Sequence, residues 1–278
     1  MPLQGLKAIF GDAAALSKAE HEKNLLASHG AKPLIVLANR MRDEFVRHYA
    51  IPADQVFTIH SGVDSELFSS QNVALYRDEI RHRHGLGNEP VLLLVGGDWE
   101  RKGVAEAIAS LSLLDSYDAK LLIAGPGDTM AYRRIARAKG VEHRVIFAGE
   151  TKEALKYYAA ADIFVLPTKY EAFGLAILEA MATGLPVVVS ALAGAAELIE
   201  DGVSGLLIDR PTDTVEIADK IASLLKSRDL GRRLGANARL TAVHHSWDRV
   251  AEQTVAVYER AMDRSERRRY SGAAGWVG

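Results

Sequence analysis

The sequence predicts an α/β fold, a Rossmann-like doubly wound parallel sheet, and three observations support this interpretation. Six short apolar runs alternate with amphipathic helical segments between residues 90 and 227. The first run, PVLLLVG at 90–96, is apolar throughout, as in parallel strands that are covered on both faces. Each run ends in glycine, proline or a polar turn, as is usual where a strand leads into a helix. An all-β fold or a helical bundle would leave these alternations unexplained.

The hydrophobic periodicity predicts the strands and helices of this series in chain order. Strands are expected at 90–96, 119–125, 144–149, 161–167, 186–191 and 205–209. Helices are expected at 104–114, 131–139, 152–160, 174–183, 195–201 and 215–227. The series is preceded by a predicted strand at 32–38, a helix at 39–49 and an extended segment at 55–64.

The chain divides into a main domain and flanking parts. Residues 91–246 form the predicted sheet domain, and the polar, basic segment 65–90 is interpreted as a linker that connects it to residues 1–64. Residues 247–262 are predicted to form an amphipathic C-terminal helix. The tail at 263–278 carries four arginines, from which we expect at most peripheral contact with a membrane.

The composition excludes several classes of protein. With 278 residues, of which 48% are apolar and 25% charged, the chain is neither disordered nor collagenous nor a coiled-coil rod. A net charge of −2 gives no bulk field that would attract nucleic acid, so no nucleic-acid partner is expected. The absence of cysteine excludes disulfides and thiolate metal sites. The sequence shows neither an apolar run of about 18 residues nor a signal-peptide pattern, so we expect a cytoplasmic location.

The first candidate site is VGGDWERKG at 95–103, directly after the first strand of the series. Gly96 and Gly97 allow a tight backbone turn. Arg101 and Lys102 stand just before a predicted helix, whose free amides and dipole favour an anion. A phosphate or diphosphate is therefore the expected ligand, and the alternative is a solvated pair of cations. The spacing is not that of a phosphate-binding P-loop.

The most specific candidate site is PTKYEAFGLAILEAMATGLPVV at 167–188. Glu171 lies in the loop after a predicted strand, and the exposed amides of residues 173–175 at the next helix start can bind phosphate or sugar oxygens. Glu179 lies about two turns into that helix, among apolar neighbours where an unpaired carboxylate is costly. A carboxylate that accepts two ribose hydroxyls would be satisfied there. The alternative is a glutamate that merely complements the helix dipole.

These motifs together resemble those of the family-4 retaining glycosyltransferases. The resemblance rests on four segments in the family's order and spacing: IHSGVDSELF (59–68), RKG (101–103), the Glu171/Glu179 pair and AGAAELIEDGVSGLLID (193–209). It covers roughly residues 33–262. The segment GGDWERKGV is similar, more narrowly, to the corresponding segment of lipopolysaccharide core glucosyltransferases.

The resemblance implies catalytic roles for three residues and a binding role for a fourth. Arg101 and Lys102 would hold the diphosphate of a nucleotide-sugar, with a UDP-sugar as the expected donor, and stabilise charge on the departing nucleotide. Glu171 would contact the donor sugar near the reacting carbon. Glu179 would bind the ribose hydroxyls. Neither a metal ion nor a cofactor is implied, because the two cations can take the place of a metal.

The remaining donor-binding positions implied by the resemblance act through the backbone or lie against the base. The amides of Phe173, Gly174 and Leu175 would face sugar and phosphate oxygens, and Gly149 with Glu150 would lie against the base. The chain departs from many family members at Gly97, where they carry an arginine. One cationic contact is thus expected to be missing, as it also is in the lipopolysaccharide-type members.

The family's GT-B fold has two Rossmann-like domains, of which the C-terminal one binds the donor and the N-terminal one the acceptor. Residues 1–64 are too few for a complete acceptor domain. We therefore interpret them as a remnant of that domain, in a truncated product, a fragment or one half of a two-chain enzyme. The acceptor, a glycan or a lipid-linked molecule, would then need a partner chain that supplies the acceptor domain.

Three functions remain open at this point. The first is a retaining hexosyltransferase that uses a nucleotide diphosphate-sugar and an acceptor hydroxyl. The second is a donor-binding half without independent activity, and the third is a sugar-nucleotide epimerase on the same fold. A nicotinamide dehydrogenase is poorly supported, because LIAGPGD (122–128) lacks the glycine spacing of a dinucleotide-binding turn.

Overall fold

The computed structural model describes residues 33–49 and 51–273, and these divide into two units. The larger unit spans Ser61–Arg249. The smaller unit combines the residues up to His60 with those from Val250 onward.

In the smaller unit, two short strands pair in parallel. Strand β1 (Leu34–Val36) leads into helix α1 (Asn39–Tyr49) and then into strand β2 (Val56–Thr58). This order agrees with the predicted strand, helix and extended segment. The part of the predicted remnant at 1–32 lies outside the described residues.

The larger unit is built on a parallel sheet of six strands, and the predicted α/β class is confirmed. The strands are β3 (Val91–Val95), β4 (Lys120–Ala124), β5 (Val145–Gly149), β6 (Ile163–Leu166), β7 (Val187–Ser190) and β8 (Leu206–Ile208). All residues of β6 and β7 are buried, which explains why apolar residues occupy successive positions there rather than alternate ones, with Ser190 as the exception.

Helices cover both faces of this sheet. They are α2 (Ser70–Arg83), α3 (Val104–Leu111), α4 (Thr129–Ala138), α5 (Ala154–Ala160), α6 (Leu175–Thr183), α7 (Thr214–Lys226) and α8 (Arg228–Val243). The sequence patterns do not predict α8, because two glycines interrupt its helical pattern.

The helix predicted at 195–201 is wrong in type and length. The structure has a 3₁₀ helix of five residues there, Gly194–Leu198. The backbone becomes extended at Ile199, and the hydroxyl of Ser204 accepts a hydrogen bond from the amide of Glu200 (2.9 Å). This local side-chain bond competes with helix formation.

The strand order β5-β4-β3-β6-β7-β8 reverses direction between β3 and β6. The chain runs outward from β3 to β5 and then returns to the other side of β3. The loops that follow β3 and β6 are therefore neighbours at the carboxyl edge of the sheet. In open parallel sheets, ligands bind at this reversal point.

The segment 65–90, predicted as a linker, contains helix α2, which packs on α5. Arg77 donates to the carbonyls of Ala159 (3.1 Å) and Ala161 (3.0 Å) at the end of α5. Arg77 also pairs with Asp162, at 2.6 Å between Nη2 and Oδ1. Helix α2 is thus tied to the layer of helices on the sheet, while the wider domain limits drawn from the sequence stay a prediction.

The last helix, α9 (Trp247–Ala273), continues past the predicted end at residue 262. It is rich in charged residues along its length. Within the described ranges, no helix combines the length and the apolar character needed to cross a membrane.

Helices α6 and α8 approach so closely that a glycine is required between them. A Cβ on Gly235 would lie 2.1 Å from the carbonyl oxygen of Gly184, a backbone atom that cannot move aside cheaply. Gly231, one turn earlier on the same helix, has only an ordinary contact, 3.8 Å from Pro186 Cγ.

We predict that Gly235→Ala lowers the free energy of unfolding by about 1–3 kcal/mol, the usual cost of overpacking. Gly231→Ala is the matched control, and we expect it to be neutral or to stabilise by up to about 1 kcal/mol through helix propensity. Urea unfolding followed by circular dichroism measures both. Equal effects of the two substitutions would contradict the close approach of α6 and α8.

Candidate functional site

The candidate site begins where β3 ends, at the reversal point of the sheet. Gly96 has φ +121°, and a Cβ there would lie 2.5 Å from Lys102 Cε. Only glycine both adopts this conformation readily and leaves room for the lysine side chain to cross the turn. The lysine is buried, with 8% of its surface exposed.

Glu171 brings the two predicted cations together. Its Oε2 lies 2.8 Å from Lys102 Nζ and 3.0 Å from Arg101 Nη1. The carboxylate comes from the loop after β6, whereas both cations come from the loop after β3. The three residues assigned catalytic roles from the sequence are therefore in direct contact.

The backbones of these two loops are also joined. The carbonyl of Arg101 accepts from the amide of Lys169 (2.8 Å) and from the hydroxyl of Thr168 (3.0 Å). Arg101 Nη1 in turn donates to the carbonyl of Tyr170 at 2.8 Å. These hydrogen bonds hold Arg101 between the loops that follow β3 and β6.

Asp98 is the second carboxylate of the cluster. Its Oδ2 lies 2.7 Å from Arg101 Nε. Burial disfavours the charge of Arg101, but the hydrogen bonds and charges of Asp98 and Glu171 outweigh it, and the pKa of Arg101 is raised. Two cations are thus balanced by two carboxylates, and an incoming anion would compete with the carboxylates for the same hydrogen-bond donors.

The start of α6 completes the side of the site that faces β6. Gly174 has φ +100°, and a Cβ there would lie 3.0 Å from Glu171 Cγ. The helix has no side-chain cap, so its first amides are available to an anion or a sugar oxygen. Phe173 is buried, with its carbonyl accepting from the amide of Ala195 (2.7 Å), and Leu175 is exposed.

Glu179 projects from α6 into a partly buried environment. The hydroxyl of Tyr158 donates to its Oε2 at 2.7 Å. Burial raises the pKa of Glu179, although the hydrogen bond from Tyr158 partly opposes that shift. Among the residues that the structure describes, Tyr158 is the one donor to this carboxylate, which can therefore accept further hydrogen bonds.

The two residues predicted to face the base lie on the far side of β4. Gly149 ends β5 with φ +78°, and its carbonyl accepts from the amide of Gly125 (2.8 Å). A Cβ on Gly125 would lie 2.4 Å from the carbonyl oxygen of Gly96, so the three strand ends are adjacent. Glu150, which follows, is exposed at the same edge.

Gly97 and Trp99 pack the β3 loop against the neighbouring strand ends. A Cβ on Gly97 would lie 3.2 Å from Pro126 Cγ. Trp99 is buried, its Nε1 donates to the carbonyl of Gly96 (3.1 Å), and its ring packs on Phe147 at 5.4 Å between centroids. The indole thus covers the sheet next to the site.

The sequence patterns do not indicate three residues that the structure places in the site. Asp98 lies three positions before Arg101, a spacing that allows an ion pair, but its positive φ of +52° cannot be read from the sequence. Thr168 and Tyr158 belong to the site only through their hydrogen bonds to Arg101 and Glu179, which the sequence does not indicate. In the part of the chain that the structure describes, no group of three His, Cys, Asp or Glu residues could hold a metal ion.

The chain is similar to known glycosyltransferases. A family model described as glycosyl transferases group 1 matches residues 76–241. An uncharacterized glycosyltransferase of Methanocaldococcus jannaschii is 32% identical over 255 residues, covering 89% of this chain and 65% of that protein. The lipopolysaccharide glucosyltransferase WaaG of Escherichia coli is 29% identical over 210 residues, covering 74% of this chain and 56% of that protein. The chain thus spans less than two thirds of the length of these relatives.

Solved structures show the same fold. The Anabaena protein HepE in complex with UDP and glucose matches with a TM-score of 0.74 at 22% identity, covering 82% of this chain and 63% of HepE. The resemblance of the sequence motifs to this family and its fold is therefore confirmed.

We predict that Glu171→Gln strengthens the binding of inorganic pyrophosphate by about three- to tenfold, because it frees two cations from a competing charge. Isothermal titration calorimetry measures the affinity. The matched control is Glu216→Gln, since Glu216 has a similarly buried carboxylate, 12% exposed against 14%, that pairs with Arg210. Unchanged or weaker binding in Glu171→Gln would show that Arg101 and Lys102 do not form an anion site.

Proposed function

Because the chain belongs to the family of group 1 glycosyl transferases, we propose that it serves the transfer of a hexosyl group from a nucleotide diphosphate-sugar to an acceptor hydroxyl, with retention of configuration. The observation that supports this proposal best is the contact of Glu171 with both Arg101 and Lys102 at the reversal point of the sheet. The buried Lys102 and the partly exposed Arg101, beside an uncapped helix start, suit a diphosphate.

The two cations act mainly on the leaving group. When the bond to the sugar breaks, negative charge develops on the departing nucleotide diphosphate. Arg101 and Lys102, already held in position by both loops, stabilise that charge without reorganising. Glu171 exchanges part of its pairing for contact with the donor sugar near the reacting carbon. This role needs neither a metal ion nor a cofactor.

The rest of the donor lies along the same edge of the sheet. Glu179 accepts the ribose hydroxyls, and the exposed Glu150 with Gly149 lies against the base. The remaining contacts come from backbone atoms at the two loops: Gly96, Gly97, Phe173, Gly174 and Leu175. All these residues belong to the larger unit, which therefore carries the whole proposed donor site.

A UDP-sugar is the first donor to test. The Anabaena protein HepE, which shares the fold, binds UDP and glucose in its solved complex. The acceptor is a glycan or a lipid-linked molecule, as in the lipopolysaccharide glucosyltransferase WaaG, to which the chain is similar.

A second candidate function is donor binding without independent transfer. The location of every proposed donor residue within the larger unit favours it, because donor binding then requires no other part of the chain. A partner chain would supply the acceptor site.

The third alternative is a sugar-nucleotide epimerase, which would isomerise the sugar without transferring it. Analysis of the reaction products distinguishes it from a transferase.

We predict that one of UDP, GDP and ADP binds selectively in isothermal titration calorimetry. We expect Glu179→Ala to weaken that binding by at least about tenfold, since a carboxylate that accepts two hydroxyls is lost. If none of the three nucleotides binds, the donor site is not formed by this chain, and the proposed function is wrong for it.

We predict that Lys102→Ala lowers turnover of the bound nucleotide's sugar, by transfer or hydrolysis, by about 100-fold or more. The matched control is Lys156→Ala, because Lys156 is likewise ion-paired, with Glu79 and Glu153, but away from the site. The anomeric configuration of the sugar in the first product, determined by NMR, tests whether the configuration is retained. Equal turnover in Lys102→Ala and the unaltered chain would contradict the mechanism, and an inverted product would contradict retention.

A further inference from the structure

Tyr158 lies outside every motif of the site, yet it is the side chain that holds Glu179. It stands on α5 and is fully buried, at 0% exposure. Its hydroxyl donates to Glu179 Oε2 at 2.7 Å. Among the described residues, the structure gives this carboxylate no other hydrogen-bond donor.

The ring of Tyr158 is itself held in place. Phe68 packs edge-on against it at 5.9 Å between centroids, and Phe164 of β6 lies at 6.0 Å. The hydroxyl also lies 3.2 Å from the carbonyl of Ala176, in the first turn of α6. Since the hydroxyl has one proton and two acceptors in reach, it stays at the base of α6 whether or not Glu179 is ionised.

A single donor on one carboxylate oxygen has a geometric consequence. The hydrogen bond from Tyr158 reaches Oε2, so it restrains the carboxyl group and leaves Oε1 to accept from a ligand. A carboxylate offers about four acceptor positions, and Tyr158 uses one of them. Enough positions remain for two hydroxyls of a vicinal diol.

We propose that Tyr158 is a positioning residue for nucleotide recognition, which orients the carboxylate of Glu179 toward the ribose diol and keeps it an acceptor. This inference rests on the proposed function, since it names how the donor's ribose is selected. Tyr158 touches Glu179 and not the nucleotide. Its effect should therefore be larger for ribose than for 2′-deoxyribose ligands, because a deoxyribose offers Glu179 one hydroxyl instead of two.

The ionisation of Glu179 gives the inference a second readout. Burial raises the pKa of Glu179, and the hydrogen bond from Tyr158 opposes that rise. Other charged groups near α6 have their own partners: Arg239 of α8 donates to the carbonyl of Ala182, and Glu171 before the helix pairs with Arg101. Loss of the hydroxyl should therefore raise the pKa of Glu179 further.

The neighbouring residue provides a matched control. Tyr157 is on the same helix and is also buried, and its hydroxyl lies 3.3 Å from His84 Nε2, whereas the hydroxyl of Tyr158 bonds Glu179. Tyr157→Phe and Tyr158→Phe each remove one hydroxyl from a buried ring. A purely structural role of the hydroxyl would give the two variants the same behaviour.

The test measures the affinity of UDP, GDP and ADP, each beside its 2′-deoxy counterpart, by calorimetry from pH 5.5 to 8.5. The ratio of ribose to deoxyribose affinity is the main readout, because a partly unfolded fraction lowers both affinities and leaves their ratio unchanged. We expect Tyr158→Phe to reduce this ratio by about tenfold and Tyr157→Phe to leave it unchanged. In a Glu179→Gln background, Tyr158→Phe should have no further effect on the ratio.

The pH dependence has a definite sign. Ribose binding needs ionised Glu179, so affinity should rise with pH through the pKa of that carboxyl, and Tyr158→Phe should move the midpoint to higher pH. If Glu179→Gln loses the ribose preference while Tyr158→Phe keeps both the ratio and the midpoint, the inference is wrong and the proposed function stands. If the unaltered chain binds no nucleotide, the proposed function fails and this inference fails with it.

Discussion

The double ion pair of Glu171 with Arg101 and Lys102 is the interaction on which the site depends. It joins the loops after β3 and β6, the two strands between which the sheet reverses direction. The buried Lys102 and the partly exposed Arg101 carry like charges that repel each other, and the shared carboxylate offsets this repulsion. The same arrangement suits the binding of an anion. An anion that replaces the carboxylate of Glu171 gains two hydrogen-bond donors, Arg101 and Lys102, that are already oriented.

The glycines around this ion pair show how the fold and the site are linked. Gly96 leaves room for the lysine side chain, and Gly174 allows the turn that brings Glu171 beneath the start of α6. At both positions the backbone has a positive φ, at which other residues are strained. The backbone conformation after β3 and after β6 thus determines where the side chains of Lys102 and Glu171 lie.

Much of this arrangement can be predicted from the sequence. Six short, mainly apolar runs that alternate with helical segments indicate a parallel sheet, and the ends of its strands indicate where Arg101, Lys102 and Glu171 should meet. Tyr158 cannot be predicted in the same way, since Tyr157 and Tyr158 are adjacent and only the packing of α5 decides which hydroxyl reaches Glu179. Helix α8 is likewise hidden by Gly231 and Gly235, and the requirement for Gly235, the close approach to α6, appears only in three dimensions.

A crystal structure of the chain with whichever of UDP, GDP or ADP binds it would test the central claim most directly. The account predicts diphosphate oxygens within about 3 Å of Lys102 Nζ and of the Arg101 guanidinium, with the ribose hydroxyls on Glu179. A nucleotide bound elsewhere, with both ion pairs to Glu171 unchanged, would contradict it.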